Sequence, residues 1–299
     1  MPGIINRNIT IEKTDMGFTG MFDAMASPCE ILIETHDYAL AKKLVQIAAD
    51  EAWRIEQKFS RYRNDNILYH IHHACGEPVE VDDELTPLLN FAEQCYQLTD
   101  GMFDITSGIL RRAWKFDCSD NIPTHRTIDE LRSLIGWEKV SWQPPFISLP
   151  VGMELDLGGI GKEYAVDRAA LLISQVSDIA ILINFGGDLY ATKPPKSRES
   201  WQVGIESIDG WNKTGVIKIK SGGIATSGDA RRYLERDGIR YSHVLNPKTG
   251  WPVEEGPKSV TVAAPRCIDA GFLSTTAMLN GKEAKSFLEV QEVQYWLQI

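Results

Sequence analysis

The sequence predicts an α+β fold in which mixed sheets are packed against helices. Two observations support this class: amphipathic helical stretches lie between β-rich segments, and the two types do not alternate strictly as they do in doubly wound parallel sheets. The 299 residues are enough for one large domain or two intimately joined halves, and no repeat or long linker divides them. We therefore expect a polar N-terminal segment at residues 1–20 and a single domain at residues 21–299.

Hydrophobic periodicity predicts four helices and five strands. The clearest helix carries Leu44, Ala48 and Ile55 on one stripe, and Pro87 suits the first turn of the next. The predicted helices are residues 38–59, 86–98, 129–134 and 162–176. The predicted strands are residues 29–35, 180–184, 201–206, 214–220 and 259–263. The strand at 180–184 opens into the turn Gly186-Gly187-Asp188.

Composition restricts the partners and the compartment of the protein. The formal net charge is -10, so no basic surplus exists to neutralise nucleic-acid phosphates. Five cysteines are scattered without CxxC spacing, which favours reduced thiols in the cytoplasm over disulfides or a zinc site. We expect no signal peptide and no membrane span, because no sufficiently long apolar stretch occurs. A cytoplasmic protein is the resulting expectation.

A run rich in glycine and basic residues extends over residues 222–250. Small residues such as Gly223 and Ser227 leave backbone open to a ligand, and Arg231, Arg232 and His243 follow closely. Cations and hydroxyls beside bare backbone suit a phosphate-bearing ligand, and a histidine can move a proton there. A glycine-rich loop with a hairpin and ordinary surface arginines explains the same run equally well.

A second segment, MELDLGGIGKEYAVD at residues 153–167, reads as a strand-like entry, a glycine turn and a helix. That arrangement directs free backbone N–H groups at an anion, and Lys162 adds a point charge. It is not a Walker A loop, because Asp156 stands at the first glycine position and Glu163 at the Ser/Thr position. A glycine-rich helix entry that serves only packing remains the alternative.

Three shorter motifs allow either a ligand-binding or a structural role. In GMFDIT, alternation in an extended segment would place Asp104 and Thr106 on one side, where they bind a ligand or cap a turn. In FSRYR, Tyr62 could stack on a flat ligand, although basic residues at a helix end often only interact with the helix dipole. The histidines at positions 70, 72 and 73 lack other ligands at metal-binding spacing and indicate a loop or surface role.

Taken together, these segments resemble the FAD:protein FMN transferase (ApbE) family. The matching pieces follow the family's order from about residue 59 to residue 279. They are FSRYR (59–63), GMFDIT (101–106), LDLGGIGKEYAVD (155–167), INFGGD (183–188), WQVGIE (201–206), GGIATSGD (222–229) and YSHVLNPKTGWPV (241–253). The resemblance implies an ApbE-like fold with an FAD cleft between two intimately joined halves.

The resemblance also implies an activity, a substrate and a partner. Members of the family split FAD and transfer its FMN half to a threonine or serine hydroxyl of an acceptor protein, with release of AMP. Positioning and charge neutralisation dominate such a phosphoryl transfer. The residues implied to contact FAD are Tyr62, Asp104, Lys162, Thr226 and Ser227. The resemblance makes His243 the general base or the group that positions the nucleophile, and Asp229 a group that orients it or adds to the polar site.

The implied magnesium site departs from the family pattern. The family takes a backbone carbonyl, here that of Gly161, together with an Asp and a Thr from a later segment. Thr275 is retained, but Gly271 occupies the place of the Asp, and Asp269 lies two residues too early. Magnesium prefers hard oxygen ligands, so a missing carboxylate predicts a weakened or lost site. Gly271→Asp should then tighten the magnesium dependence. Glu163, where the family has glycine, is unfavourable near a pyrophosphate unless it points away or helps to hold the cation.

These departures leave three functions open. The first is the flavin transferase, with FAD as substrate, magnesium as cofactor and a protein acceptor. The second is a non-catalytic FAD-binding homologue with a degraded metal site, which Gly271 favours and which His243 and Thr275 oppose. The third is an FAD pyrophosphatase that uses water in place of the acceptor hydroxyl. The sequence names neither the acceptor protein nor the oligomeric state.

Overall fold

The computed structural model describes residues 7–117, 120–206, 213–228, 233–236 and 238–299. Its strands are β1 (Thr10–Thr14), β2 (Gly17–Ala24), β3 (Ser27–Ile33), β4 (Val79–Glu80), β5 (Ser141–Gln143), β6 (Phe146–Ser148), β7 (Ile181–Phe185), β8 (Asp188–Ala191), β9 (Trp201–Glu206), β10 (Lys213–Ile219), β11 (Gly222–Gly228), β12 (Tyr233–Arg236), β13 (Ile239–Ser242), β14 (Ser259–Ala264) and β15 (Gln294–Gln298). The α-helices are α1 (Tyr38–Phe59), α2 (Ile67–His73), α3 (Leu85–Leu98), α4 (His125–Arg132), α5 (Gly161–Val176), α6 (Cys267–Leu279) and α7 (Ala284–Val290). This mixture of helices and largely antiparallel strands confirms the α+β prediction.

The described residues group into two compact units, each assembled from three separate chain segments. The first unit consists of Met1–Glu56, Ile160–Thr226 and Thr261–Gly271, within the described ranges. The second consists of Gln57–Gly159, Ser227–Val260 and Phe272–Ile299. The single domain expected at residues 21–299 stays a prediction. The polar segment at residues 1–20 contains β1 and the start of β2, which the sequence reading did not predict.

The first unit is built around a sheet in the order β1-β2-β3-β7-β8-β11-β14. The pairings from β1 through β11 in that order are antiparallel. Alternating burial along β3 turns Cys29, Ile31 and Ile33 into the core, as expected for a strand with one buried face. The indole N–H of Trp53 on α1 donates to the carbonyl of Asp23 over 2.8 Å, and α5 packs against β7 and β8.

The second unit has its own core beside the 3₁₀ helix Ser107–Arg112. Trp114 is almost fully buried, stacks on Phe116 and donates its indole N–H to the carbonyl of Gly250 over 2.9 Å. Trp251 meets Trp114 edge to face with ring centroids 5.3 Å apart. Bulky aromatic rings therefore fix the loop that follows β13.

Several local predictions need correction. The helix expected at residues 129–134 is α4 (His125–Arg132), because the hydroxyl of Thr124 caps its start by accepting from the N–H of Thr127. The strand-like entry to the glycine turn at residues 153–157 forms no strand. The histidines at positions 70, 72 and 73 lie on the short helix α2 and not in a loop, but His70 and His73 are exposed, which confirms the surface alternative for these two. There, His72 Nε2 accepts from the N–H of Leu155 over 2.8 Å.

Candidate active site

In the first unit, the start of α5 brings Lys162 next to a buried carboxylate on β8. Lys162 Nζ lies 2.5 Å from Asp188 Oδ2. Gly186 and Gly187 form the turn before Asp188 with φ values of +60° and +100°, which favour glycine. Burial favours the neutral amine of Lys162, but the carboxylates of Asp188 and Glu163 outweigh it and raise the Lys162 pKa. Lys162 is therefore an ammonium group held at the helix entry, as the sequence led us to expect.

The next residue on α5, Glu163, is a second buried carboxylate at the same place. Its side chain is 7% exposed, and Oε2 has no hydrogen-bond partner among the described residues. Burial raises the pKa of Glu163, and the neighbouring carboxylate of Asp188 raises it further, while Lys162 opposes both. A buried polar atom without a partner is costly, so Glu163 Oε2 calls for an explanation.

Glu163 fills the space beside Gly271 on α6. A Cβ atom placed on Gly271 would lie 2.6 Å from Glu163 Cγ and 2.7 Å from Oε1. The single substitution Gly271→Asp therefore cannot be made without displacing Glu163. The expectation that Gly271→Asp tightens the magnesium dependence stays a prediction, and the same change must also move the side chain of Glu163.

A third acid on α5, Asp167, fixes the start of α6. Its carboxylate accepts from the N–H of Cys267 over 2.8 Å and from that of Ile268 over 3.0 Å. These are orphan donors of the first helical turn, so Asp167 acts as a cap supplied by another helix. Asp167 and Glu163 lie one turn apart on α5 and face Cys267 and Gly271, one turn apart on α6. The two helices are held in register at these positions.

Thr226 on β11 is a further polar residue of the first unit and contacts Asp188. Its backbone N–H donates to Asp188, and its Oγ1 lies 2.9 Å from Oγ1 of Thr261 on β14. The glycines of β11 have a structural reason, since a Cβ on Gly223 would collide with the backbone of Cys267. The glycine-rich start of the run is thus strand β11 under the start of α6 and not a loop, whereas the antiparallel pairing of β12 with β13 confirms the hairpin alternative for the later part of the run.

In the second unit, Ser227 lies within a cluster of hydroxyl groups. Its Oγ is 2.9 Å from Oγ of Ser274 and 2.9 Å from Oγ1 of Thr275. Ser274 is fully buried, and both partners come from α6. The structure thus brings together two residues that the sequence named separately, one as an FAD contact and one as a metal ligand.

Asp104 has its described hydrogen bonds to its own loop and to a neighbouring turn. Oδ1 accepts from the N–H and the hydroxyl of Thr106 over 2.8 and 2.7 Å, and Oδ2 accepts from the N–H of Trp137 over 3.3 Å. The extended segment expected at residues 101–106 is therefore a turn, and the capping alternative describes these bonds. Burial raises the pKa of Asp104, although these hydrogen bonds oppose the effect.

Tyr62 is 80% exposed, with the Arg61 guanidinium carbon 5.6 Å from its ring centroid. Arg61 is anchored by Glu154 Oε2 at 2.8 Å and Asp156 Oδ2 at 3.0 Å. Asp156, which ruled out a Walker A loop, therefore forms an ion pair. An aromatic ring beside a fixed cation offers a flat face to a ligand.

His243 follows β13 directly and meets the ring of Phe116 edge to face, with centroids 6.2 Å apart. It is half-buried, and the N–H of the next residue, Val244, donates to Oγ of Ser242 over 3.1 Å. The arginines at 231 and 232 and the predicted partner Asp229 lie outside the described residues. The pairing of His243 with Asp229 thus stays a prediction.

Sequence reasoning gave no site role to Asp188 or Asp167 and treated Glu163 only as a departure from the family. The signal for Asp188 was its position after Gly186-Gly187. The signal for the other two was their spacing of four residues on a predicted helix. Within the described ranges, no group of three or more His, Cys, Asp or Glu is arranged to hold a metal ion. In the same ranges, no helix is long and apolar enough to span a membrane.

The fold and these motifs define a flavin transferase class of structure. The ApbE protein of Thermotoga maritima superposes with a TM-score of 0.85 at 28% identity, covering 97% of this chain and 94% of that one. The apo flavinyl transferase ApbE of Pseudomonas stutzeri gives a TM-score of 0.83 at 25% identity, covering 97% and 91%.

Sequence comparison leads to the same family. The FAD:protein FMN transferase of Salmonella typhimurium is 32% identical over 250 residues, 80% of this chain and 70% of its own. That of Vibrio cholerae is 30% identical over 236 residues, 77% and 71% of the two chains. The profile of the ApbE family matches residues 25–297. The chain belongs to the ApbE family.

Proposed function

We propose that this protein is an FAD:protein FMN transferase, which moves FMN from FAD to a threonine or serine hydroxyl of an acceptor protein and releases AMP. The observation that carries the proposal is the family match over residues 25–297, which includes all seven motifs in order. Relatives about 30% identical bear the name FAD:protein FMN transferase. The polar groups at the start of α5 and along β11 are of the kind that a pyrophosphate needs.

The proposed FAD-binding residues divide by chemistry. Lys162 supplies positive charge to the pyrophosphate, and Thr226 and Ser227 supply hydroxyl or backbone donors. Tyr62 supplies a ring face for a flat part of FAD. Asp104 remains a proposed FAD contact, and its bonds to Thr106 and Trp137 also hold the loop in which it lies.

The proposed reaction is a single phosphoryl transfer. The acceptor hydroxyl oxygen forms a bond to the phosphorus of the FMN half, and the bond from that phosphorus to the oxygen that leaves with AMP breaks. His243 takes the proton of the acceptor hydroxyl or positions that hydroxyl, and Asp229 orients His243. Lys162 neutralises charge on the pyrophosphate during the transfer.

The residues of this chain fit a magnesium ion at the start of α5. The fit rests on the unpartnered oxygen of Glu163, whose side chain occupies the space that a side chain at position 271 would need. We propose that the carbonyl of Gly161 and the hydroxyl of Thr275 are ligands. When bound, magnesium would neutralise phosphate charge. A site of one carboxylate with carbonyl, hydroxyl and water oxygens does not need three acidic residues.

The competing functions make different products. A non-catalytic FAD-binding homologue, favoured by Gly271, releases no AMP. An FAD pyrophosphatase releases AMP together with free FMN, because water replaces the acceptor hydroxyl. We further propose a cytoplasmic location, since Cys29, Cys75 and Cys267 are free thiols, which suits a reducing compartment.

The deciding assay measures AMP release from FAD with and without magnesium, in the presence of a threonine-bearing acceptor fragment. Flavin fluorescence of the acceptor on a denaturing gel is read from the same samples. The transferase gives metal-dependent AMP and a fluorescent acceptor band. An acceptor fragment in which the threonine is replaced by valine is the matched control and should remain dark. AMP without a fluorescent band would refute the transferase in favour of the pyrophosphatase.

A further inference from the structure

The start of α5 contains two buried carboxyl groups, and the described neighbours pair only one of them with a cation. Asp188 and Glu163 are both carboxylates less than a tenth exposed, and Lys162 is the ammonium group beside them. Lys162 makes its ion pair with Asp188 at 2.5 Å. A buried charge is expensive unless it is paired or coordinates a metal. Glu163 is therefore the member of this group that lacks a described partner of opposite charge in contact with it.

The side chain of Glu163 is held in one place by the packing around it. Asp167 accepts hydrogen bonds from the first N–H groups of α6 and so fixes the register of α6 along α5. One turn away, Gly271 offers no side chain, and Glu163 Cγ and Oε1 take up the space that a Cβ there would need. The carboxylate thus reaches α6 at the position where the family resemblance leads us to expect an aspartate.

We propose that Glu163 is the carboxylate ligand of the divalent cation, supplied from α5 in place of the side chain that Gly271 lacks. The inference rests on the proposed function, which requires a magnesium ion at this end of α5. In this chain the carboxylate ligand comes from α5 and not from α6. The glycine at position 271 leaves the space that the side chain of Glu163 occupies. Gly271 consequently marks a rearranged metal site and not a degraded one.

The competing explanation is that Glu163 is only a buried, protonated residue that fills space. The two explanations predict opposite behaviour for Glu163→Gln. Glutamine keeps the size of the side chain and removes the charge. Without metal the variant should therefore fold with a melting temperature at or above that of the wild type. A metal ligand would lose cation binding, whereas a space-filling acid would not.

The experiment titrates the full-length protein with Mn²⁺ followed by electron paramagnetic resonance, and with Mg²⁺ followed by thermal unfolding, both with and without FAD. Losing a residue that merely orients a ligand costs about 10- to 100-fold in metal affinity, so Glu163→Gln should weaken Mn²⁺ binding by at least that factor. It should also abolish the rise in melting temperature that bound metal gives the wild type.

The matched control is Glu51→Gln, in the same unit. Glu51 is also a buried glutamate, but Arg54 and Arg168 pair with it. This control should lower the melting temperature without metal and keep wild-type Mn²⁺ affinity. Wild-type affinity in Glu163→Gln, or no binding by the wild-type protein under either condition, overturns the inference. The AMP and acceptor-fluorescence assay tests the proposed function separately.

A rearranged variant gives a second test. Combining Glu163→Gly with Gly271→Asp removes the steric conflict and returns the carboxylate to α6. If the ligand has moved between helices, the double variant should recover at least part of the Mn²⁺ binding that Glu163→Gln loses. Failure of a folded double variant to bind Mn²⁺, together with wild-type binding by Glu163→Gln, would assign the metal to other residues.

Discussion

Lys162 and Asp188 form an ion pair in which the carboxylate is almost fully buried. Removing the cation would leave Asp188 without its close partner, which costs about 3–5 kcal/mol for a buried pair. We expect Lys162→Met to lower the free energy of unfolding by an amount in that range, measured by urea denaturation without FAD.

Lys193→Met is the control for this change. Lys193 lies 2.7 Å from Asp178, at a comparable distance, but Asp178 is fully exposed. An exposed pair contributes only about 0–1 kcal/mol. Equal losses in the two variants would mean that burial of Asp188 has no influence on the pair.

Glu51 predicts a dependence of stability on pH. Burial alone would raise its pKa, but hydrogen bonds from Arg54 and Arg168 outweigh burial and lower the pKa from 4.5. Because the folded pKa lies below the unfolded one, the stabilisation is complete above pH 4.5 and is lost as the pH falls through the folded pKa.

Glu51→Gln should therefore lower the free energy of unfolding by about 1.5–3 kcal/mol at pH 7, the range for hydrogen bonds to charged groups. The difference from wild type should shrink as urea titrations are repeated at successively lower pH. A difference that stays constant into the acid range would contradict the assignment.

The next prediction concerns the role of His243 in the transfer reaction. If it accepts the proton of the nucleophile, His243→Ala should lower the transfer rate by about 10²- to 10⁴-fold and leave FAD affinity near wild type. Single-turnover fluorescence and FAD titration measure the two quantities. The exposed His73, which stacks on Tyr69, provides the control His73→Ala, with transfer at the wild-type rate. Unchanged transfer in His243→Ala would remove this residue from the mechanism.

At the scale of elements, α5 and α6 are fitted to each other through Glu163 and Gly271. Gly271→Ala should destabilise the protein by about 1–3 kcal/mol, the cost of overpacking, because its Cβ meets Glu163. In a Glu163→Ala background the same change should be neutral or stabilising, since alanine favours helix over glycine by about 1 kcal/mol. A double-mutant cycle from urea denaturation measures this coupling. Additive effects would show that the two side chains do not share the space.

Elements with strong periodicity were predictable, and elements defined by contacts were not. The apolar stripe of α1 gave Tyr38–Phe59 correctly, and the alternation in β9 gave Trp201–Glu206. By contrast, α6 has the apolar sequence CIDAGFLSTTAML, in which no single stripe stands out, and the sequence reading passed over it. Its start depends on Asp167, a hundred residues earlier in the chain, which local patterns cannot reveal.

The residues of the candidate site likewise divide into those with a local sequence signal and those that depend on contacts between distant parts of the chain. Lys162 and the glycine turn before Asp188 were visible, because a charge at a glycine-rich helix entry is a local signal. The relation of Glu163 to Gly271 was invisible, because it depends on the register between two helices. Read separately, the two positions looked like a lost ligand and a misplaced acid. Read together in the structure, they form one arrangement.

At the scale of the whole molecule, the two units are interleaved along the chain. The first unit takes its last segment, Thr261–Gly271, from near the C-terminus. That segment contains most of β14 and the start of α6, which Asp167 holds. A fragment ending at residue 260 should therefore fail to fold, with circular dichroism and protease sensitivity typical of an unfolded chain. Cooperative unfolding of that fragment would show that the segment is dispensable.

This interleaving has a consequence for the protein during its synthesis. Six alternating segments mean that neither unit is complete when the ribosome has made half of the chain. Strands β7, β8 and β11 are synthesised before β14, which is next to β11 in the sheet, and before Cys267, whose backbone lies against Gly223 of β11. Until β14 is made, the edge of β11 that pairs with it has no partner strand, and unpaired strand edges make partly folded chains prone to aggregate.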